Sequence, residues 1–89
     1  MPFTCYILEC ADGSYYTGWT TDLQRRVRQH NSGRGSKYTR ARRPVKVLYE
    51  EDLPDRSSAM RREAQIKKYS RVKKKELIRK IDGKNKQPG

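Results

Sequence analysis

The sequence predicts a small α+β domain built from three strands and three helices, and three observations point to it. Blocks rich in β-branched and aromatic residues occur at Phe3–Cys10, Tyr15–Trp19 and Val45–Glu51. Apolar residues recur at helical spacing in Leu23/Val27, in Ala59/Ile66 and in Val72/Leu77/Ile78/Ile81. Asp12-Gly13, Asn31-Ser32-Gly33, Leu53-Pro54 and Asp82-Gly83 separate these blocks with turn and stop chemistry. A chain of 89 residues makes one domain, which buries about 60–65% of its unfolded surface in a single two-layer core.

Phe3–Cys10 is apolar on both faces, with Phe3, Cys5 and Ile7 on one and Tyr6, Leu8 and Cys10 on the other. That pattern suits a central strand covered on both sides. The Asp12-Gly13 turn has two readings. A two-residue loop pairs Ala11 with Ser14 and sends Tyr6 and Tyr16 to opposite faces; a three-residue loop, Ala11–Gly13, pairs Cys10 with Ser14 and puts both tyrosines on one face. Tyr15–Trp19 is the second strand. Gly18 near its end either turns the backbone or admits a bulky neighbour.

A helix follows over Asp22–His30, with Thr21 and Gln24 as a capping box. Leu23 and Val27 face the sheet, and Arg26 and His30 lie along the edge of that apolar stripe. Ser32–Arg43 (SGRGSKYTRARR) is a basic loop, with or without one short helix. Pro44 opens the third strand, in which Val45, Val47 and Tyr49 alternate with Lys46 and Glu50. Asp55 or Ser57 caps a helix over Ser58–Tyr69, where Glu63 interrupts an inward stripe of Ala59, Ile66 and Ser70. A buried carboxylate needs a partner, either an arginine or a metal ion. The last helix stops at Asp82-Gly83. The domain is expected over residues 1–82, with 83–89 as a flexible basic tail.

Twenty-two Lys and Arg face ten Asp and Glu, a net charge of +12. Such a field attracts polyanions, nucleic acid first and an anionic membrane surface second. The contacts expected to carry it are Arg25, Arg34, Lys37, Tyr38, Arg40, Arg42, Arg43 and Lys67, and Tyr15, Trp19 and Tyr38 can stack bases where exposed. Cys5 and Cys10 lie about 16 Å apart along one strand, beyond disulfide reach, so both are expected as thiols in a cytoplasmic protein. No run approaches a membrane span or a secretory leader. Walker, dinucleotide and zinc-finger spacings are absent, which argues against a small-molecule cofactor and a structural zinc.

Taken together, Tyr6-Ile7, Tyr16-Thr17-Gly18, Asp22-Leu23 with Arg26 and His30, and the later Glu63 resemble the GIY-YIG nuclease superfamily, in particular its small YhbQ-like branch. The resemblance spans roughly residues 3–81 and departs from the name-giving motif at Cys5 and Thr17. It implies a three-stranded antiparallel sheet flanked by helices, and a site made of Tyr6, Tyr16, Arg26, His30 and Glu63. It further implies hydrolysis of DNA, more than RNA, with one Mg²⁺ or Mn²⁺ held at Glu63, as a structure-dependent endonuclease of the kind used in DNA repair. A monomer is the default. The rival readings are a DNA- or RNA-binding module with little or no turnover and a structural protein acting on RNA.

Overall fold

The first strand, β1 (Phe3–Glu9), is the centre of a three-stranded sheet of order β2-β1-β3, with β2 at Tyr15–Thr20 and β3 at Lys46–Leu53. Both pairings are antiparallel. Helix α1 (Leu23–Asn31) and the single turn α2 (Lys37–Arg40) lie between β2 and β3 in the chain, and α3 (Arg56–Lys67) and α4 (Arg71–Lys86) follow β3. This computed structural model describes the backbone of residues 2–86 and the side chains of residues 2–80.

The hairpin takes the three-residue loop. Leu8 stands opposite Tyr16 and Tyr6 opposite Gly18, so Cys10 meets Ser14, whose carbonyl accepts from the Cys10 N–H at 2.8 Å. Gly13 closes the loop at φ +83°, a conformation that side-chain-bearing residues avoid. Tyr6 and Tyr16 therefore share a face.

β1 is covered on both sides, as its two apolar faces require. Tyr6, Leu8 and Cys10 pack with Val45, Tyr16, Leu23 and Val27 beneath α1. Cys5 and Ile7 pack with Tyr49, Ile66, Tyr69, Leu77 and Ile78 beneath α3 and α4. The third strand departs from simple alternation. Ile7 pairs with Tyr49 but Leu8 pairs with Val47, so Leu48 is an extra residue in a β-bulge. The bulge turns Tyr49 to the face opposite Val45, and Val47 stays 36% exposed.

Helix ends differ from expectation in small ways with clear causes. Asp22, not Thr21, caps α1, its Oδ1 accepting from the Arg25 N–H at 3.1 Å while the Thr20 hydroxyl accepts from the Asp22 N–H. A carboxylate is the stronger acceptor for these N–H groups. Asp55, rather than Ser57, caps α3. The last helix carries on past Asp82-Gly83 to Lys86, since one interior glycine costs only about 1 kcal/mol. Residues 83–86 of the expected tail are thus helical, 87–89 lie outside the described residues, and so does the side chain of Ile81.

Candidate active site

The site grows from the shared face of the hairpin. Tyr6 is 1% exposed and lies directly across Gly18, where a Cβ would come within 2.6 Å of the phenol oxygen. Gly18 thus admits a bulky neighbour and does not turn the chain. Its φ is not positive.

Leu23 and Val27 dock α1 on this face, which sets Arg26 and His30 beside the tyrosines. His30 is fully buried. Its Nε2 lies 3.2 Å from Tyr6 Oη and its Nδ1 2.7 Å from Thr39 Oγ1. Tyr16 meets the imidazole edge-on, with ring centres 5.1 Å apart. Gly35 presses its backbone on the ring, leaving no room for a Cβ, which would fall 2.1 Å from Nδ1. Arg26 is held by two acceptors: one terminal nitrogen donates to Gln29 Oε1 at 3.0 Å, the other to the Gly35 carbonyl at 3.1 Å.

Burial sets the protonation states. It pulls His30 down from 6.5 to about 4, with the Arg26 charge helping, so the imidazole is neutral at pH 7. It pushes Tyr6 up to about 12, against the opposing pull of the Arg26 guanidinium, with Tyr16 and Glu63 adding to the rise. Tyr6 is a phenol at neutral pH unless more positive charge arrives.

Glu63 comes from α3, on the other layer. It sits between the buried Ala59 and Ile66 on that helix, and its field reaches both Cys5 and Tyr6. Its partner is Lys67 at 3.6 Å, one turn on, and its side chain stays 23% exposed. The neighbouring Arg62 goes elsewhere, to Glu51 at 3.1 Å within a cluster that includes Tyr69 and Gln65. No group of three potential metal ligands occurs among the described residues. One partly buried carboxylate with a single loose cation partner among the described residues suits a divalent ion that keeps most of its waters, and does not suit an all-protein cage.

The basic loop is mainly scaffold. Ser36 caps α2, and the segment supplies Gly35 and Thr39 to the site. Neither was anticipated, although Gly-X-X-X-Thr closely following a helical histidine is a pattern that could have drawn attention. Arg42 donates to Asp12 Oδ2 at 3.1 Å and to the Tyr38 carbonyl, and lies 3.9 Å over the Tyr38 ring. Arg43 donates to the Arg40 and Asn31 carbonyls. These two arginines tie loop to hairpin and helix. Arg25, Arg34, Lys37, Arg40 and Lys67 are at least partly exposed. Tyr38 stacks on Tyr16 with centres 6.0 Å apart. Trp19 and Tyr15 likewise carry guanidiniums, from Arg56 at 5.7 Å and Arg71 at 4.2 Å. A cleft of about 370 Å³ opens beside Arg26, bounded by Trp19, Arg25, Gln29 and Arg56.

Residues 2–76 match the model of the GIY-YIG catalytic domain. The chain belongs to the GIY-YIG family. It is 56% identical over 73 residues to a UPF0213 protein of Halobacterium salinarum, covering 82% of this chain and 95% of that one. A UPF0213 protein of Streptococcus pneumoniae is 52% identical over 73 residues, 82% of this chain and 74% of the other. Among solved structures, the solution structure of a UPF0213 protein from Bacillus halodurans matches with 49% identity, 88% and 83% coverage and a TM-score of 0.57. That of the protein EF2693 from E. faecalis matches with 39% identity, 92% and 88% coverage and a TM-score of 0.63.

The family is one of nucleases, and nucleic acid is its general substrate. The departures from the GIY-YIG signature at Cys5 and Thr17 have visible places here. Cys5 turns away from Tyr6 into the opposite core, where burial raises its thiol to about 11 and leaves it unreactive. Thr17 is buried on that same side, its hydroxyl without a protein partner among the described residues. No helix among the described residues is long and apolar enough to cross a membrane.

Proposed function

We propose that this GIY-YIG domain is an endonuclease that hydrolyses phosphodiester bonds in DNA, more than RNA, in a structure-dependent way and with one divalent ion. The observation that carries the reading is the convergence of Arg26, Tyr6 and His30. A fixed guanidinium stands beside a buried phenol whose oxygen is hydrogen-bonded to a neutral imidazole.

Phosphodiester hydrolysis needs an attacking water relieved of a proton and a stabilised phosphorane-like charge. Arg26, held at both terminal nitrogens, is oriented to bind non-bridging phosphate oxygens and does not reorganise as their charge grows. Tyr6 is the proton acceptor once its ionised form is favoured, and Tyr16, packed on His30, orients the phosphate or water. Glu63 would hold Mg²⁺ or Mn²⁺; bound there, the ion supplies Lewis-acid charge neutralisation and favours ionisation near it. Lys67 must give way from Glu63 or move outward when that happens. The solvent-facing Arg25, Arg34, Lys37 and Arg40 add phosphate contacts that position the substrate without reading its sequence.

A second reading, binding without turnover, is favoured by one observation: in the protein alone Tyr6 is a phenol and Glu63 is already matched by Lys67. A cleavage screen with Mg²⁺ and Mn²⁺ on single-stranded, duplex, flap, branched and RNA substrates separates the two. Products that require metal support the nuclease; tight binding to every substrate with no product in either metal supports the binding module.

A further inference from the structure

We propose that Thr39 is a positioning residue that fixes the His30 tautomer: its hydroxyl donates to Nδ1, so the single ring proton sits on Nε2 and is donated to Tyr6 Oη. The mechanistic consequence rests on the nuclease reading; the tautomer does not.

Both partners of the imidazole are buried, Thr39 at 0% and Tyr6 at 1% exposure, so the ring has no solvent to satisfy either nitrogen. The two distances differ in an informative way, 2.7 Å on the threonine side and 3.2 Å on the tyrosine side. Hydroxyl donors make the shorter bonds, roughly 2.5–3.0 Å between oxygens, whereas N–H donors reach roughly 3.2 Å. With Thr39 donating and Nε2–H donating, each distance falls where its donor type belongs. The reverse tautomer puts an N–H donor at the lower edge of its range and stretches the Tyr6 hydroxyl beyond its own.

Ser36 completes the assignment. Its Oγ accepts from the Thr39 N–H at 3.1 Å and lies 3.0 Å from Thr39 Oγ1. The serine hydrogen can therefore go to Thr39 Oγ1; the threonine hydrogen has two acceptors in reach, the Ser36 carbonyl at 3.4 Å and His30 Nδ1 at 2.7 Å, and the shorter bond assigns it to His30. Gly35 packs closely against the ring, leaving no room for a side chain there.

This arrangement changes the role of His30. With the proton on Nε2 the imidazole has no lone pair for Tyr6, so it does not take the phenol proton. It donates to the phenol oxygen, and the positive charge of the nearby Arg26 guanidinium acts on the same group. A donor to the oxygen and a nearby positive charge both favour its ionised form. His30 thus supports a tyrosinate; the phenol hydrogen, which in this tautomer has no acceptor among the described residues, is the proton that leaves to solvent.

His30 is the sole histidine in the chain, which gives the tautomer a direct readout. Long-range ¹H–¹⁵N NMR on the metal-free protein at neutral pH should show a protonated Nε2 and an unprotonated Nδ1. Thr39→Val keeps the branched shape and removes the donor; it should move the proton to Nδ1 or mix the tautomers, and Thr39→Ser should restore the wild-type spectrum. In the cleavage assay Thr39→Val should lose roughly 10-fold or more, again with recovery in the serine variant. A wild-type spectrum with Nδ1 protonated overturns the proposal, whether or not any variant folds. So does a folded Thr39→Val protein with an unchanged tautomer. The predicted spectrum together with absent cleavage leaves the tautomer standing and overturns the nuclease reading alone.

Discussion

Burial of a neutral histidine at the site makes the fold acid-labile in a calculable way. His30 titrates at about 4 in the folded protein and near 6.5 when unfolded. Between those values the unfolded chain binds more protons, so stability is full above pH 6.5 and falls as pH drops toward 4. For one site with these constants the loss by pH 4.5 is about 2–3 kcal/mol, a large part of the stability of a domain this small. The depressed carboxyls, Asp12 and Asp55, lose their contributions only as pH falls below the ordinary carboxylate range, so the window from 6.5 to 4.5 isolates His30. Urea unfolding at half-unit steps of pH measures the slope. His30→Gln should be less stable at pH 7 and nearly flat across the window. Equal slopes in wild type and His30→Gln would refute the reasoning, because the proton uptake would then belong to other groups.

Substitutions elsewhere separate packing from chemistry. Gly18→Ala places a Cβ 2.6 Å from Tyr6 Oη and must displace a buried ring, so urea unfolding should show a loss of about 2–4 kcal/mol from overpacking and a broken hydrogen bond. Glu63→Gln should abolish metal-dependent cleavage while changing stability by less than about 1 kcal/mol, because its Lys67 partner is 53% exposed; a destabilised variant with full specific activity would contradict the metal role. Removing Arg25, Arg34, Lys37 and Arg40 together should lower the log–log salt slope of nucleic-acid binding by roughly 0.7–0.9 for each phosphate no longer neutralised and keep the fold. Removing Arg42 and Arg43 should instead lower the melting temperature, since both hold the loop.

Much of this architecture was legible because it follows from local chemistry. The two apolar faces of Phe3–Glu9 require cover on both sides, and the i,i+4 pairs Leu23/Val27 and Arg26/His30 fix the polar pair at the edge of the docked face. The hairpin count left two readings, and the structure chose the one that lets Tyr6 cross Gly18. What stayed hidden depends on tertiary geometry. Leu48 is an apolar residue among apolar neighbours, so nothing in the alternation marks it as a bulge. Gly35 and Thr39 sit in a segment whose dominant signal is charge, and their roles appear only when that segment folds back on His30. Arg42 and Arg43 look like free cations in sequence, but backbone carbonyls, and an aspartate 30 positions away in Arg42's case, hold them.

The nuclease reading itself turns on Arg26. The rate of metal-dependent cleavage should be compared across wild type, Arg26→Lys and Arg26→Ala on the best substrate from the screen, with melting curves and metal-free binding measured alongside. Loss of a preorganised phosphate-binding group predicts a fall of roughly 100-fold or more for alanine, only partial recovery with lysine, which lacks the planar fork, and near-normal metal-free binding. Cleavage that persists at the wild-type rate in a folded Arg26→Ala protein would contradict the account.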